Sequence, residues 1–253
     1  MEHHNTWITD VINNLLGALI APIKNQFCSA IYSLWGTEYV PGHLVIPEHV
    51  IFAIIVFLFC FLFFTIAKKS FSLDKPGKIQ QIFEISVEFL NSQLEEIVGH
   101  GGKRYLPMVG TIGLFILFMN LSGQIPGFAS PTSSLNVTVG CALVVFFYYN
   151  YLGVKKHGLL GYLKQFVGPI PLMAPLMIPI EIISHLARPF SLSVRLFANI
   201  FGEHQVAAVF FALLPFILPL PIMALGLFAS FLQAFIFMVL TMVYIGGALA
   251  DEH

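Results

Sequence analysis

Long apolar stretches separated by short charged ones dominate this chain. The first, residues 50–67, has no charged side chain and ends at Lys68 and Lys69. Two more run from about residue 106 to 121 and from about 135 to 152. A bilayer core about 30 Å thick needs about 20 apolar residues in a helix. Each stretch therefore predicts a membrane-spanning helix.

Two other segments alternate apolar and polar residues at helical spacing. Residues 10–35 are interrupted by too many polar side chains to cross a membrane. Residues 79–98 repeat the same pattern between the first two predicted spans. Both patterns are typical of amphipathic helices that lie at the surface of a membrane.

The last third of the chain predicts two unusually long membrane segments. Residues 171–214 contain no strong turn signal other than three prolines, and as a helix they extend about 66 Å. That length exceeds a bilayer core of about 30 Å, so the segment must tilt or break at a proline. Three further prolines predict a turn, after which residues 222–250 run back. We expect a long tilted helical hairpin.

The first arm of this hairpin carries a ladder of polar side chains. Its members recur every three or four residues, which places them in one stripe of a helix. They are Glu181, Ser184, Arg188, Ser191, Arg195, Asn199 and Glu203. His185 and His204 lie beside the stripe. A charge at the centre of a membrane helix costs about 2.5 to 3.5 kcal/mol, so the ladder must face protein, water or a partner charge.

Composition agrees with a multi-span membrane protein. Of 253 residues, 57% are hydrophobic and 10% are charged, against about a quarter charged in soluble domains. A net charge of −1 provides no basic face for nucleic acid. Three cysteines without a paired spacing predict neither a disulfide framework nor a metal site, and no cofactor motif is present.

Lysines and arginines between the apolar stretches predict the orientation in the membrane. They cluster in residues 68–105 and again at residues 155–168, which the positive-inside rule places in the cytoplasm. The N-terminus is then outside and the C-terminus cytoplasmic. We expect a single integral membrane domain over residues 1–253, all α-helical, with about five membrane segments. Its parts are an outer N-terminal segment (1–48), three spans with an amphipathic helix (49–168) and the tilted hairpin (169–253).

The ladder favours proton or ion transport over other chemistry. Nucleotide-binding loops and hydrolase motifs are absent. His185 and His204 lie too far apart on one segment to ligate haem together, and no aspartate lies within a span. Carboxylates, imidazoles and hydroxyls along a helix can relay protons. Arg195 cannot, because a guanidinium does not lose its proton, so it divides the ladder into two half-paths.

At these residues the chain resembles subunit a of the F-type ATP synthase. SLSVRLFANIFGEH is similar to that family's arginine-helix motif, and LQAFIFMVLTMVYIGGALADEH to its C-terminal signature. Weaker similarity covers most of the chain, including FMNLSGQIPGF. The resemblance implies a non-catalytic, proton-translocating stator subunit with five spans. It also implies a bacterial inner membrane, and as partners a c-ring, peripheral-stalk b subunits and the lipid bilayer.

The resemblance also implies a role for each member of the ladder. Arg195 would meet the c-ring carboxylate, with Asn199 and Gln233 as its polar companions. Glu203 and His204 would stand in the outer half-channel. The cytoplasmic half-channel would be lined by Glu181, Ser184, Arg188 and Ser191.

The chain departs from some relatives in the outer half-channel. His204 occupies a position where many members have glutamate, and Glu203 stands one place earlier. Gly226 replaces a histidine or glutamate of some members, and Gly123 and Gln124 stand near an acidic residue that others use. Either Glu203 or His204 is therefore the outer carrier, with a slight preference for His204.

The sequence allows three functional interpretations, of which the proton-translocating subunit is the first. A stand-alone ion channel or secondary transporter is the main alternative, although no internal inverted repeat is seen. A purely structural membrane scaffold is the third reading, against which the charged ladder argues. The choice between proton and sodium coupling depends on the carboxylate of the c subunit, which belongs to another chain.

Overall fold

The described structure is built from helices. The computed structural model describes residues 8–14, 21–22, 47–71, 77–99, 101–125, 130–165, 174–213 and 219–250. Within these residues strands are absent. Six long helices are present: α1 (Glu48–Ser70), α2 (Lys78–Val98), α3 (Leu106–Ser122), α4 (Leu135–Gln165), α5 (Ala174–Leu213) and α6 (Pro219–Leu249). Short 3₁₀ turns at Gly102–Tyr105 and Pro131–Ser133 precede α3 and α4.

Four of these helices, α1, α3, α4 and α6, are long and apolar enough to cross a membrane. The predicted all-α membrane fold is thereby confirmed. The fifth predicted segment is α5, which is one helix of 40 residues with Pro179 and Pro189 inside it. Charged and amide side chains recur along it, and it packs against both α4 and α6. Its place in the bundle is therefore set by helix packing.

The core lies between α3, α4 and α6. Fully buried side chains from each of these helices meet there, with Leu192 and Leu196 of α5 beside them. Those of the three central helices include Val109, Ile116, Met119, Val145, Tyr149, Phe237, Met242 and Ile245. Along α1, by contrast, most apolar side chains remain exposed, as expected for a helix that faces lipid.

Helix α2 confirms the predicted amphipathic helix between the first two spans. Its Leu94 is fully buried, whereas Ile79, Ile82 and Ile85 are more than 60% exposed. Phe89 packs near Phe235 of α6 with ring centroids 6.0 Å apart. The helix thus contacts α6 with one side and leaves an apolar surface on another.

Helix α4 continues past the point where its span was predicted to end. It runs through Lys155 and Lys156 to residue 165, with a break at Gly158, whose φ of 72° suits glycine. The Nζ of Lys156 donates a hydrogen bond of 2.6 Å to the carbonyl of Leu249, at the end of α6. This bond joins α4 to the end of α6.

Two predictions lie largely outside the described residues. Of the predicted amphipathic helix at 10–35, only 10–14 and 21–22 are described, and both are helical. The turn between the hairpin arms was predicted from Pro215, Pro219 and Pro221; Pro215 is not described, whereas Pro219 and Pro221 lie at the start of α6, so the second arm begins earlier than predicted.

Candidate functional site

Helix α5 spreads the polar ladder over the thickness of a membrane. Glu181 and Glu203 are 22 residues apart, which is about 33 Å along a helix. Arg195 lies between them, about 12 Å from the level of Glu203. The buried face of α5 carries Leu192, Leu196 and Ile200. This packing turns Arg195 away from the core.

Arg195 is exposed on the outer surface of the bundle. Within the part of the chain that the structure describes, its guanidinium makes no hydrogen bond or ion pair. Its neighbours one turn away on α5 include Ser191 and Ala198, which are exposed, and Asn199, which is half-buried. Its five N–H donors, unbonded among the described residues, are available to a partner from outside this chain.

Glu203 points inward at the opposite end of the hairpin from Glu181. The Nε2 of Gln124, just beyond α3, donates a short hydrogen bond to its Oε1. A Cβ on Gly226 of α6 would overlap the same carboxylate. The other oxygen, Oε2, is buried without a hydrogen-bond partner among the described residues. The carboxylate of Glu203 is thus held between α3 and α6 by one oxygen, while the other oxygen has no bonded partner among the described residues.

His204 turns towards a different neighbour. Its Nε2 and the Oγ of Ser130 each lie 3.1 Å from the place where a Cβ on Gly123 would stand. The two polar groups therefore both lie next to this glycine. Ser130 is 1% exposed and begins a buried chain of hydroxyls, in which its Oγ lies 2.8 Å from that of Thr132. Thr132 in turn contacts the Oδ1 of Asn120 at 2.8 Å.

Glu181 and Arg188 come together at the other end of the ladder. The Nη2 of Arg188 lies 4.0 Å from the Oε1 of Glu181. The Cζ of Arg188 also stands 5.6 Å from the ring centroid of Tyr244 on α6, within range of a cation–π contact. Because both groups of the ion pair are partly exposed, it contributes little to stability. Its effect is to place one carboxylate and one fixed positive charge at this end.

The remaining predicted site residues are divided between surface and interior. Ser184 and Ser191 are exposed, and Asn199 is half-buried. Gln233 of α6 is 5% exposed. Within the described ranges no hydrogen bond joins Asn199 or Gln233 to Arg195, so their predicted roles as companions of the arginine stay predictions.

Several polar residues near the ladder were missed by sequence reasoning. Asn150 and Tyr162 of α4 both contact His185, and Tyr149 packs against its ring. A lone amide within the apolar run VVFFYYNYLG was a signal for Asn150. Tyr162 had no such signal, because only the break at Gly158 brings it to this place.

Metal binding finds no support in the described part of the chain. There, no three histidine, cysteine, aspartate or glutamate side chains come together in a way that could hold a metal ion. The free cysteines Cys60 and Cys141 lie within apolar spans.

The fold and the ladder together define a class of protein, an integral membrane protein with ionisable groups distributed across its thickness. Comparison with known families is more specific. The family described as "ATP synthase A chain" matches residues 49–246. The chain belongs to this family, and its membership assigns it to proton transport in the membrane sector of ATP synthase.

Three bacterial relatives agree with this assignment, and each is named ATP synthase subunit a. The protein of Solibacter usitatus is 51% identical over 84% of this chain and 89% of its own length. That of a Sulfurihydrogenibium species is 47% identical over 81% of this chain and 99% of its own. That of Koribacter versatilis is 40% identical over 99% of both chains.

Proposed function

We propose that this chain is the stator subunit that supplies two separate half-channels to a rotating c-ring, with Arg195 between them. Protons enter from one side of the membrane, ride on the ring and leave on the other side. ATP chemistry takes place on other subunits. The chain's own part is to set the path and direction of the protons.

The exposed guanidinium of Arg195 is the observation that carries this proposal. A positive charge near the centre of a membrane helix costs about 2.5 to 3.5 kcal/mol. A carboxylate carried past by a neighbouring ring would offset that cost. The same positive charge favours the ionised form of the carboxylate, so each arriving carboxyl group releases its proton.

Two separate groups of polar residues support two half-channels. Glu203, His204 and Gln124 meet near the end of α3, which leads into an uncharged loop predicted to lie outside. Glu181 and Arg188 lie about 10 Å or more from the level of Arg195 on its other side, towards the lysines of α4. Since a guanidinium does not pass on a proton, Arg195 keeps the two groups apart.

In the outer half-channel we assign the carboxylate of Glu203 as the proton carrier, in place of the initial preference for His204. The supporting contacts are the bond from Gln124 and the unpartnered buried Oε2. The space above Gly226 is filled by this carboxylate. Glu203 thus places an acid where some relatives carry one on the facing helix. His204, beside Ser130, then serves to connect Glu203 with the outside.

The c-ring and the b subunits of a peripheral stalk are the partners that this function requires. The outer surface around Arg195 would meet the ring. With the N-terminus outside and the C-terminus in the cytoplasm, the Glu203 end opens to the outside of a bacterial inner membrane.

The test is ATP-driven proton pumping by inverted membranes that contain the whole complex. We expect Arg195→Ala to abolish pumping and to allow passive proton leak, because nothing then separates the half-channels. Arg195→Lys should also fail, since an ammonium lacks the planar fork and loses its proton more readily when desolvated.

Arg104→Ala is the matched control. Arg104 is also exposed, but it stacks over Tyr105 at 4.8 Å in the turn before α3, away from the ladder. Its variant should pump normally at equal amounts of assembled complex. Normal pumping by Arg195→Ala would refute the proposed role of the arginine.

A further inference from the structure

A single amide on α4 joins two other polar side chains. The Nδ2 of Asn150 donates a 2.7 Å hydrogen bond to the carbonyl of Phe146, which fixes the orientation of the amide. Its Oδ1 then accepts a 2.8 Å bond from the hydroxyl of Tyr162. The Nε2 of His185 on α5 lies 2.8 Å from the same oxygen. Because an amide oxygen only accepts, the proton of this bond is on Nε2 of His185.

Tyr162 reaches this oxygen because α4 breaks at Gly158. In an uninterrupted helix Tyr162 would stand about 13 Å along the axis from Gly153. Here its ring lies directly against Gly153, where a Cβ would overlap it. The side chain is 8% exposed. The chain after Gly158 therefore turns back and contributes a second donor to Asn150.

His185 lies at one of the two turns of α5 that an internal proline weakens. Pro189, four residues later, has no N–H, so the carbonyl of His185 cannot receive the usual helical hydrogen bond. Prolines at such positions are a common cause of helix kinks. The side chain of the same residue is 9% exposed, and its ring packs at 5.2 Å from Phe146 and 5.5 Å from Tyr149. The backbone loses one bond where the side chain gains a contact with α4.

The geometry of this turn sets the positions of the two arginines that follow it on α5, Arg188 and Arg195. Arg188 is one turn after His185 and stacks on Tyr244. Arg195 is six residues after Pro189, about 9 Å along the helix. A bend of about 10° at Pro189 would move Arg195 sideways by about 1.5 Å. Displacements of about 1 Å can reduce the rate of a positioned reaction by about a hundredfold.

We propose that Asn150, His185 and Tyr162 form a brace that fixes the proline-containing turn of α5. The brace is a positioning device, which keeps Arg188 and Arg195 in place while the ring turns past them. Asn150 is its central residue, and the N–H of His185 is the contact that joins the two helices. This inference rests on the proposed function, from which it takes both the role of Arg195 beside the ring and proton pumping as the readout.

Two substitutions of the same histidine test the brace. His185→Gln retains a side-chain N–H that can reach Asn150, whereas His185→Leu is of similar size but has no donor. ATP-driven pumping by inverted membranes is measured per assembled subunit a, by immunoblot. We expect His185→Leu to lower the pumping rate about fivefold or more, and His185→Gln to stay within about twofold of the parent.

A double-mutant cycle adds a readout of the contact itself. If Asn150 and His185 act through one another, Asn150→Leu combined with His185→Leu should pump no more slowly than the slower single variant. Fully multiplied losses would mean independent roles and would overturn the brace. Equal rates for His185→Gln and His185→Leu, whether both normal or both low, would overturn it as well.

Tyr162→Phe is the alternative test if the complex does not assemble with His185→Leu. This change removes one oxygen and keeps the ring against Gly153, and we expect about a twofold or larger loss of pumping per complex. Tyr151→Phe, on the exposed face of the same helix, should have no effect. Equal rates for the two tyrosine variants would again refute the brace. Arg195→Ala in the same preparations separates the two ideas: loss of pumping by that variant together with equal rates for the two His185 variants refutes the brace alone, whereas normal pumping by Arg195→Ala refutes the proposed function and the brace with it.

Discussion

At the scale of single residues, the structure distinguishes the two candidate proton carriers at the outer end of the ladder. Glu203 and His204 are adjacent in the chain, so their side chains leave the helix about 100° apart. Glu203 faces Gln124 and Gly226, and His204 faces Gly123 and Ser130. The two groups therefore have different surroundings and can be tested separately.

If Glu203 is the carrier, Glu203→Gln should lower ATP-driven pumping by about tenfold or more, because a general acid–base group contributes at least that much. His204→Ala should have a smaller effect. Rates are measured across pH, with assembly checked for each variant. Glu88→Gln on the exposed face of α2 is the matched control. The reverse order, with His204→Ala the more severe, would show that the imidazole carries the proton.

Gly226→Ala tests the same site from the facing helix. A methyl group there would overlap the carboxylate of Glu203 and displace it from Gln124. We expect pumping to fall several-fold while the complex still assembles. Gly247→Ala on the same helix is the control, since a Cβ at that position meets no atom within 4 Å. Equal pumping by the two alanine variants would show that the carboxylate is not held where the structure places it.

The sequence predicted the placement of residues correctly where that placement depends only on spacing along one helix. The ladder from Glu181 to Glu203 lies on one continuous helix, as its period of three to four predicts. The partners of that ladder could not be predicted, because Gln124, Gly226 and Asn150 are brought to it by packing between helices. Gly226 and Gln124 drew attention only as departures from relatives.

At the scale of helices, α5 determines the layout of the site. Its two internal prolines were expected to permit a break, yet the helix is continuous over 40 residues. Packing against α4 and α6 accounts for this, because both neighbours contact it along its length. Helix α4 was predicted too short, since Lys155 and Lys156 resemble the end of a span. Lys156 instead reaches the end of α6, which no local pattern encodes.

A helix with two half-channels should be accessible from both sides of the membrane. In a chain whose native cysteines are replaced, we expect Ser184→Cys to react with an impermeant thiol reagent from the cytoplasmic side. His204→Cys should react from the outer side. Labelling is compared in inverted and right-side-out vesicles, with Ile116→Cys in the core as the unreactive control. Reaction of both cysteines from the same side would contradict the two-channel layout.

At the scale of the whole molecule, large parts of the surface remain apolar. Phe57, Phe61 and Phe147 are each about 60% exposed, as expected for side chains in contact with lipid. Phe228 and Phe231 of α6 are exposed as well. Lipid alone accounts for such residues, but it does not account for Arg195 among them.

The proposed partners give a prediction at this scale. A tagged chain extracted in mild detergent should bring with it a c-ring and peripheral-stalk proteins in fixed ratio. We expect no proton transport from the chain purified alone and reconstituted in liposomes, because the ring carries the protons between the half-channels. Ion flux by the isolated chain at rates typical of a transporter would favour the alternative class.

The unpartnered guanidinium also has a consequence for the life of the protein before assembly. On the proposed function, a newly inserted copy exposes this charge to lipid until the carboxylates of the ring neutralise it. Free copies are thus less stable in the membrane than assembled ones by the free energy of that contact. Cells that make this chain without its ring should therefore clear it quickly, so that the residue that separates the channels also ensures that no subunit persists alone.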